Sequence, residues 1–270
     1  MLIRESSTLI VEQTAIASLH LKRYVIVDIY MPRIANEKGS VKLLLINDGQ
    51  DLEEMKFASL LDEQMASGAV NPLVCIGIHA GKNRLHEYGV AGFPDYEGRG
   101  SLAAEYQRFI TKELLPQLLQ RYGWDNVVDT AISGFSLGGL SALDTALNHP
   151  AVFNKTGVFS GSLWWRSQAL GEDYSDDLHR IIHQKVRSEP MNTKLKFYFT
   201  TGSLDETADR NNNGVIDSID DTQALVKELR QKGYSNGDIT YVNYPDGRHD
   251  IMSWGKAMPG FLKWGWGEED

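Results

Sequence analysis

An α/β domain with a mostly parallel central sheet flanked by helices is the fold class this sequence predicts. Three observations predict it. Apolar runs of strand length alternate with stretches of helical periodicity along the 270 residues. Several runs, such as residues 41–46 and 73–78, are nearly continuous, which suits strands buried on both faces. No Pro/Gly/Ser-rich linker, repeat or low-complexity tract divides the chain, so residues 1–270 read as a single domain.

The elements follow in order. Strands are expected at residues 8–13 and 23–31, where Tyr24, Ile26, Asp28 and Tyr30 alternate with Val25, Val27 and Ile29. Further strands are expected at 41–46, 73–78, 127–132, 155–159, 195–200 and 239–243. Helices are expected at 52–65, 102–122, 137–147, 176–186, 222–232 and 251–264. Early hairpin strands followed by strand–helix alternation place ligand chemistry outside the carboxyl ends of the parallel strands.

Composition narrows the function. The chain is 42% hydrophobic and 23% charged, which excludes disorder for its bulk. Its apolar runs, such as residues 43–46, fall far below the roughly 18 residues a membrane span needs. The N-terminus shows neither a signal-peptide pattern nor a lipidation motif, so neither a membrane nor export is expected, and the expected location is cytoplasmic. The single cysteine, Cys75, excludes an internal disulfide and a cysteine-rich zinc site. With 27 basic against 36 acidic residues the net charge is −9, and no basic stripe is interleaved with aromatics, so nucleic acid is not an expected partner. Six acids and one arginine lie between Asp205 and Asp221, a concentration that calls for its own explanation.

After the strand at 127–132 comes Gly134-Phe135-Ser136-Leu137-Gly138, a Gly-x-Ser-x-Gly pattern between a strand and a helix. Such a turn is tight enough to hold the serine strained and exposed, and the flanking glycines let strand and helix pass closely. The Leu137 N–H, at the helix start, then points to where an oxyanion would form. Read alone, the same pattern describes a plain glycine-rich turn; the strand before it and the apolar helix after it favour a nucleophile.

Four histidines follow Ser136: His149, His179, His183 and His249. His149 ends the helix that begins at the serine and so points away. His179 and His183, spaced i, i+4, read as a solvated helix face, with a chelating pair as the alternative. His249 lies in a glycine-containing loop beyond the strand at 239–243, where an imidazole can reach the serine, take a proton and return it. The acid should end the preceding strand, at Asp205, with Glu206 as the alternative; it would fix the imidazole tautomer. A second oxyanion donor, Gln50 N–H, is expected in the turn Asn47-Asp48-Gly49-Gln50-Asp51.

These residues, taken with others, resemble the esterase D-like branch of the α/β-hydrolases, and most of all its enterobactin-esterase type, which cleaves the ester bonds of trilactone siderophores. The segments that carry the likeness are Ile46 to Gln50, Gly134 to Gly139, Ser160-Gly161-Ser162-Leu163-Trp164-Trp165, Asp246 to Asp250 with Trp254, Phe109 to Pro116, and Arg84 to Tyr88. The resemblance implies the α/β-hydrolase fold and gives the triad roles to Ser136, Asp205 and His249. Two departures stand out. The separate N-terminal domain of many enterobactin esterases has no counterpart in these 270 residues. Nor is there a cluster of basic residues for a ferric catecholate; Arg84, Arg99 and Arg166 are the arginines expected near the site. Trp164 and Trp165 follow the strand at 155–159, one expected as a platform for an acyl group and the other as core; Arg84 is a further substrate-binding candidate.

The acidic stretch has its own pattern. From Asp209 to Asp220, oxygen-bearing side chains fall at Asp209, Asn211, Asn213, Asp217 and Asp220, with Gly214 at the sharp turn and Val215 offering its carbonyl, in the order of an EF-hand loop. Asp220 stands where a glutamate is usual, which makes the loop similar to dockerin-type loops. The alternative is a solvated polar loop. The expected ion is calcium, in a structural role; no organic cofactor is expected.

The sequence therefore reads as a serine carboxylic-ester hydrolase that forms an acyl-enzyme on a small-molecule ester, a siderophore trilactone or a related compound. Alternatives with the same triad are an acyltransferase or an esterase for S-formylglutathione, feruloyl or acetyl groups. A non-catalytic, calcium-dependent binding protein is the reading from another class.

Overall fold

The computed structural model describes residues 2–5, 8–33, 40–191 and 194–267. Nine strands form one sheet: β1 (Leu2–Glu5), β2 (Leu9–Ser18), β3 (Arg23–Pro32), β4 (Val41–Asn47), β5 (Val74–Ile78), β6 (Val127–Phe135), β7 (Lys155–Phe159), β8 (Lys196–Leu204) and β9 (Ile239–Arg248). Their spatial order is β1-β2-β3-β5-β4-β6-β7-β8-β9. The strands from β1 through β3 to β5 pair antiparallel, and from β5 through β4 to β9 every pairing is parallel.

The helices among the described residues are α1 (Phe57–Ala66), α2 (Arg84–Glu87), α3 (Ala103–Arg108), α4 (Leu115–Tyr122), α5 (Leu137–Asn148), α6 (Asp176–His179), α7 (Ile181–Ser188), α8 (Asp217–Lys232) and α9 (Ile251–Trp266). They cover both faces of the sheet. Phe57 and Leu61 of α1 and Met258, Phe261 and Trp266 of α9 pack on one face. Helices α3, α4, α5, α7 and α8 pack on the other, through residues such as Tyr106, Leu118, Leu143, Ile182 and Leu225. Two-sided cover explains why β5 is buried at every position, whereas β3, nearer the edge, alternates over Tyr24 to Val27. Among the described residues no helix is long and apolar enough to cross a membrane.

The α/β architecture with a mostly parallel central sheet is as predicted, and four local readings are corrected. The helix expected at 52–65 is a short 3₁₀ turn, Gly49–Leu52, followed by α1, because Lys56 takes a left-handed conformation between them. The helix expected at 102–122 carries a π-helical stretch, Phe109–Leu114, just before Pro116, a residue with no N–H to continue the α pattern. The helix expected at 176–186 breaks at Arg180, whose extended backbone separates α6 from α7.

The fourth correction concerns residues 244–248, expected as loop. They continue β9 past an irregularity: Gly202 pairs with Tyr244 and Leu204 with Arg248, so three residues of β9 oppose one of β8. Strand β9 is the edge of the sheet, where Pro245 is tolerated. The bulge carries the chain over the end of β8 and delivers His249. The carboxyl ends of β4, β6, β7, β8 and β9 thus bring residues 48–50, 136, 160–165, 205 and 249 to one rim.

Candidate active site

Ser136 sits between β6 and α5 with φ 54° and ψ −122°, a conformation that few non-glycine residues adopt. The neighbouring glycines make it attainable. A side chain at Gly134 would run into the backbone of Gly138, and one at Gly138 would lie 2.5 Å from Asp48 Oδ2 and 3.2 Å from Asn47 Cβ. The turn is also tied from below: Ser136 N–H donates to Phe159 O at 2.9 Å, and Ser162 N–H donates to Ser136 O at 3.0 Å. The Ser136 hydroxyl is left pointing outward, partly exposed.

His249 meets it there. Its Nε2 and Ser136 Oγ share a hydrogen bond of 2.9 Å. The sequence did not single out Ser162 by itself, yet its hydroxyl lies 3.4 Å from Ser136 Oγ. The protein around the imidazole lowers its pKa below the ordinary value by desolvation, Asp205 pulls it up, and Arg84 lowers it further. A neutral imidazole at neutral pH is the form able to accept the serine proton.

Asp205 lies close enough to act on His249 through space but makes no hydrogen bond to it in this structure. Its Oδ2 accepts from Gly202 N–H at 2.9 Å and from Ser218 Oγ at 3.5 Å, and its Oδ1 is buried without a partner. A buried carboxylate oxygen without a donor is costly, and an imidazole N–H would satisfy it. Glu206 is otherwise engaged: it accepts from Ser218 N–H at 2.7 Å at the start of α8, and burial raises its pKa.

Leu137 opens α5, so its N–H belongs to the first helical turn, whose donors have no partner within the helix. Gln50 stands in the 3₁₀ turn Gly49–Leu52, its amide side chain donating to Asp48 Oδ1 at 3.3 Å and accepting from Ala80 N–H at 2.9 Å. Gly49 is required there because a side chain would strike the backbone of Gly77 in β5.

Arg84 is already committed. Its Nε and Nη2 donate to the two oxygens of buried Asp48 at 2.7 and 2.8 Å. The same turn is anchored by Asn47 Nδ2 donating to Gly138 O at 2.8 Å, and by Tyr106 OH donating to Asn47 Oδ1 at 2.6 Å. This network braces the turn that carries Ser136. Its partners lie up to 91 residues apart, so no local pattern reveals them.

The two tryptophans part company. Trp165 is fully buried, donates its indole N–H to Phe93 O at 3.2 Å, and presses against Gly89 and Gly100, so it is core and not a substrate contact. Trp164 is half-buried, with the guanidinium groups of Arg99 and Arg166 each 5.3 Å from its ring. The chelating-pair alternative for His179 and His183 finds no support, since the two lie on separate helices. His179 Nδ1 accepts from Ser175 N–H, and His183 is buried with Nε2 on the Asp221 carbonyl.

In the acidic loop, Asn211 and Asn213 reach the two oxygens of Asp220, each at 3.2 Å. Asp209 accepts from the N–H groups of Asn213 and Gly214. Gly214 has φ +83°, which a side chain would strain. Asp217 is turned toward Arg210, whose backbone N–H donates to it at 2.9 Å. It is the Nδ2 groups of Asn211 and Asn213 that face Asp220, while their Oδ1 atoms accept from Asn213 N–H at 3.1 Å and Val215 N–H at 2.8 Å, so the loop is closed by its own hydrogen bonds. Among the described residues no three His, Cys, Asp or Glu side chains cluster as a metal site.

A serine in a strained strand-to-helix turn, bonded to a histidine delivered from the last strand of a mostly parallel sheet, is the arrangement of an α/β-hydrolase fold. The chain belongs to the family described as "Putative esterase", which it matches over residues 18–264. It is 28% identical over 143 residues to "Uncharacterized protein YbbA" of Bacillus subtilis, an alignment covering 51% of this chain and 56% of that protein. It is 30% identical over 150 residues to the iron(III) enterobactin esterase of Dickeya dadantii, covering 54% of this chain and 32% of that one. The aligned part thus spans little more than half of the first curated relative and a third of the second. The crystal structure of the enterobactin esterase of Shigella flexneri, in the presence of 2,3-di-hydroxy-N-benzoyl-serine, superposes with a TM-score of 0.71 at 21% identity, covering 94% of this chain and 58% of that one. That likeness is one of fold.

Proposed function

We propose that the chain is a serine carboxylic-ester hydrolase working through an acyl-enzyme. The observation that carries the reading is the 2.9 Å hydrogen bond between Ser136 Oγ, held at positive φ, and His249 Nε2. In this reading Ser136 Oγ attacks the ester carbonyl as His249 takes its proton, and the tetrahedral oxyanion is held by the N–H groups of Leu137 and Gln50. His249 returns the proton to the leaving alcohol, and water repeats the sequence on the acyl-enzyme. Asp205 orients the imidazole and stabilises its charged form once its free Oδ1 meets the ring N–H.

The family and the enterobactin-esterase relatives support a small ester as substrate, a siderophore trilactone among them, with Trp164 as a platform and Arg84 at the edge of the site. We also propose that the loop from Asp209 to Asp220 takes calcium through Asp209, Asn211, Asn213, Asp220 and the Val215 carbonyl, with Asp217 as an outer ligand. The ion would stiffen the turn that carries Asp205. A cytoplasmic setting is part of the proposal, supported by the buried, unpaired Cys75.

The test is hydrolysis of p-nitrophenyl acetate by the wild type and Ser136→Ala. Turnover with an acyl burst that disappears in the variant, whose unfolding curve stays in place, is expected. Retained turnover in the variant would sink the reading, and added alcohols that outcompete water for the acyl group would make it an acyltransferase instead.

A further inference from the structure

His249 is weakly held for a residue that must move a proton with accuracy. It follows the bulge of an edge strand, it is exposed along one side, and the hydrogen bond its ring makes goes to Ser136. The Asp205 oxygen that could fix its other nitrogen is unpartnered. What the ring does rest against is Trp254. The two rings meet edge to face, with centroids 5.2 Å apart and planes at 80°, an arrangement in which an aromatic pair holds orientation as well as position.

Trp254 is itself buried and held by two contacts. It is 9% exposed. Its ring stacks on Phe135, the residue before the nucleophile, at 5.2 Å and 18°. Its indole N–H donates to Ser160 Oγ at 3.2 Å. Ser160, directly after β7, is buried and has φ 45°, where a glycine would sit without strain. A serine kept in a left-handed conformation beside a functional turn points to a use for its side chain, and the bond to the indole is that use. The start of α9 is fixed separately: Asp250 accepts from Ser253 N–H at 2.8 Å, and Ser253 Oγ accepts from Arg248 N–H at 2.9 Å.

We propose that Trp254, anchored by Ser160, is a positioning residue that holds the His249 imidazole in register with Ser136. The indole connects the ends of β6 and β7, which carry the nucleophile turn, to the loop that carries the base. The inference rests on the esterase reading for its kinetic test. The charged groups acting on His249 are Asp205 at the end of β8, Arg84 on α2 and Asp250 beside it in sequence, and none of them is altered by the substitutions below.

The experiment compares Trp254→Phe, Ser160→Ala and Ser160→Gly with the wild type. It measures kcat and KM for p-nitrophenyl acetate from pH 5 to 8, thermal unfolding, and the titration of the His249 ring by ¹⁵N NMR. Expected is a loss in kcat of roughly tenfold to a hundredfold with little change in KM, since a misplaced base affects the chemical step. A displaced acid limb and a changed His249 titration should accompany it. Ser160→Gly should be as impaired as Ser160→Ala although it relieves the backbone. In a His249→Ala background, Trp254→Phe should cost nothing further. Unchanged kcat and His249 titration in folded variants, full activity in Ser160→Gly, or an equal loss without His249 would each overturn the proposal. If the wild type cleaves no ester, the esterase reading fails by itself. The NMR titration then decides: a moved His249 resonance in Trp254→Phe and Ser160→Ala sustains the positioning role, and an unmoved one refutes it.

Discussion

Gly202 lies where β8 and the bulge of β9 cross, with its Cα against the backbone of Gly247. A methyl group added there would stand 2.8 Å from Asp205 Oδ1 and closer still to the Gly247 carbonyl group, whereas ordinary contact begins at 3.4 Å. Gly202→Ala must therefore push Asp205 by about 0.6 Å, from 2.8 to 3.4 Å, and move the β9 bulge by more. Backbone cannot turn aside as a flexible side chain does, so the overpacking should cost about 1–3 kcal/mol. For a chain of this size that lowers the melting temperature by roughly 2–10 °C. The effect on turnover should be larger than stability alone implies, because the displaced segment leads two residues later to His249. A misplacement of about 1 Å can cost on the order of a hundredfold, so a loss of roughly tenfold to a hundredfold in kcat is expected. The assay is p-nitrophenyl acetate hydrolysis beside thermal unfolding. Gly171→Ala serves as control, since an added methyl meets nothing there within 4 Å. A Gly202→Ala variant with wild-type kcat and melting temperature would refute the reasoning.

Three further outcomes follow from the same structure. His183, buried between α7 and α8, has its pKa lowered to about 3 by desolvation and then by Arg180. The unfolded chain therefore binds a proton that the folded chain does not between its ordinary pKa and that value, and stability should fall as the pH is lowered through this window, by roughly 1–2 kcal/mol between pH 6.5 and pH 5. Urea unfolding at the two pH values checks this, and His183→Gln should flatten the dependence. For catalysis, kcat/KM should hold to a pH below the ordinary imidazole value and then fall, because His249 is shifted downward; an acid limb above that value would contradict the assigned environment. Calcium at 100 times its dissociation constant should stabilise the fold by about 2.7 kcal/mol. Asp209→Ala should remove that gain, and a melting curve indifferent to calcium and chelator would dismiss the ion.

The tight turn at Ser136 was legible because its physical demands are local. Gly134 and Gly138 are needed where strand meets helix, and the strand and the apolar helix around them were visible in the residue pattern. Strand positions such as Val74–Ile78 were legible because burial on both faces leaves an unbroken apolar run. The course of β9 was not. Pro245 and Gly247 look like loop, and only the pairing of Tyr244 with Gly202 and Arg248 with Leu204 shows a strand that resumes after its bulge. The support beneath the site was equally hidden. Arg84 grips Asp48 and Tyr106 grips Asn47 across 36 and 59 residues, contacts that depend on the assembled sheet rather than on neighbours in sequence. Trp164 and Trp165 could not be told apart from their order. Their roles divide according to which ring finds the space between Gly89 and Gly100.

The position of His249 beyond the outermost strand has a consequence for how copies of the protein meet. An open sheet edge is a template on which another chain can add a strand. At β9 that template is spoiled where it would matter most: Pro245 offers no amide hydrogen, and the three-for-one bulge turns the backbone out of line over the stretch just before the imidazole. The irregularity that brings His249 to Ser136 thus also keeps a foreign strand from zipping along the edge and burying the imidazole.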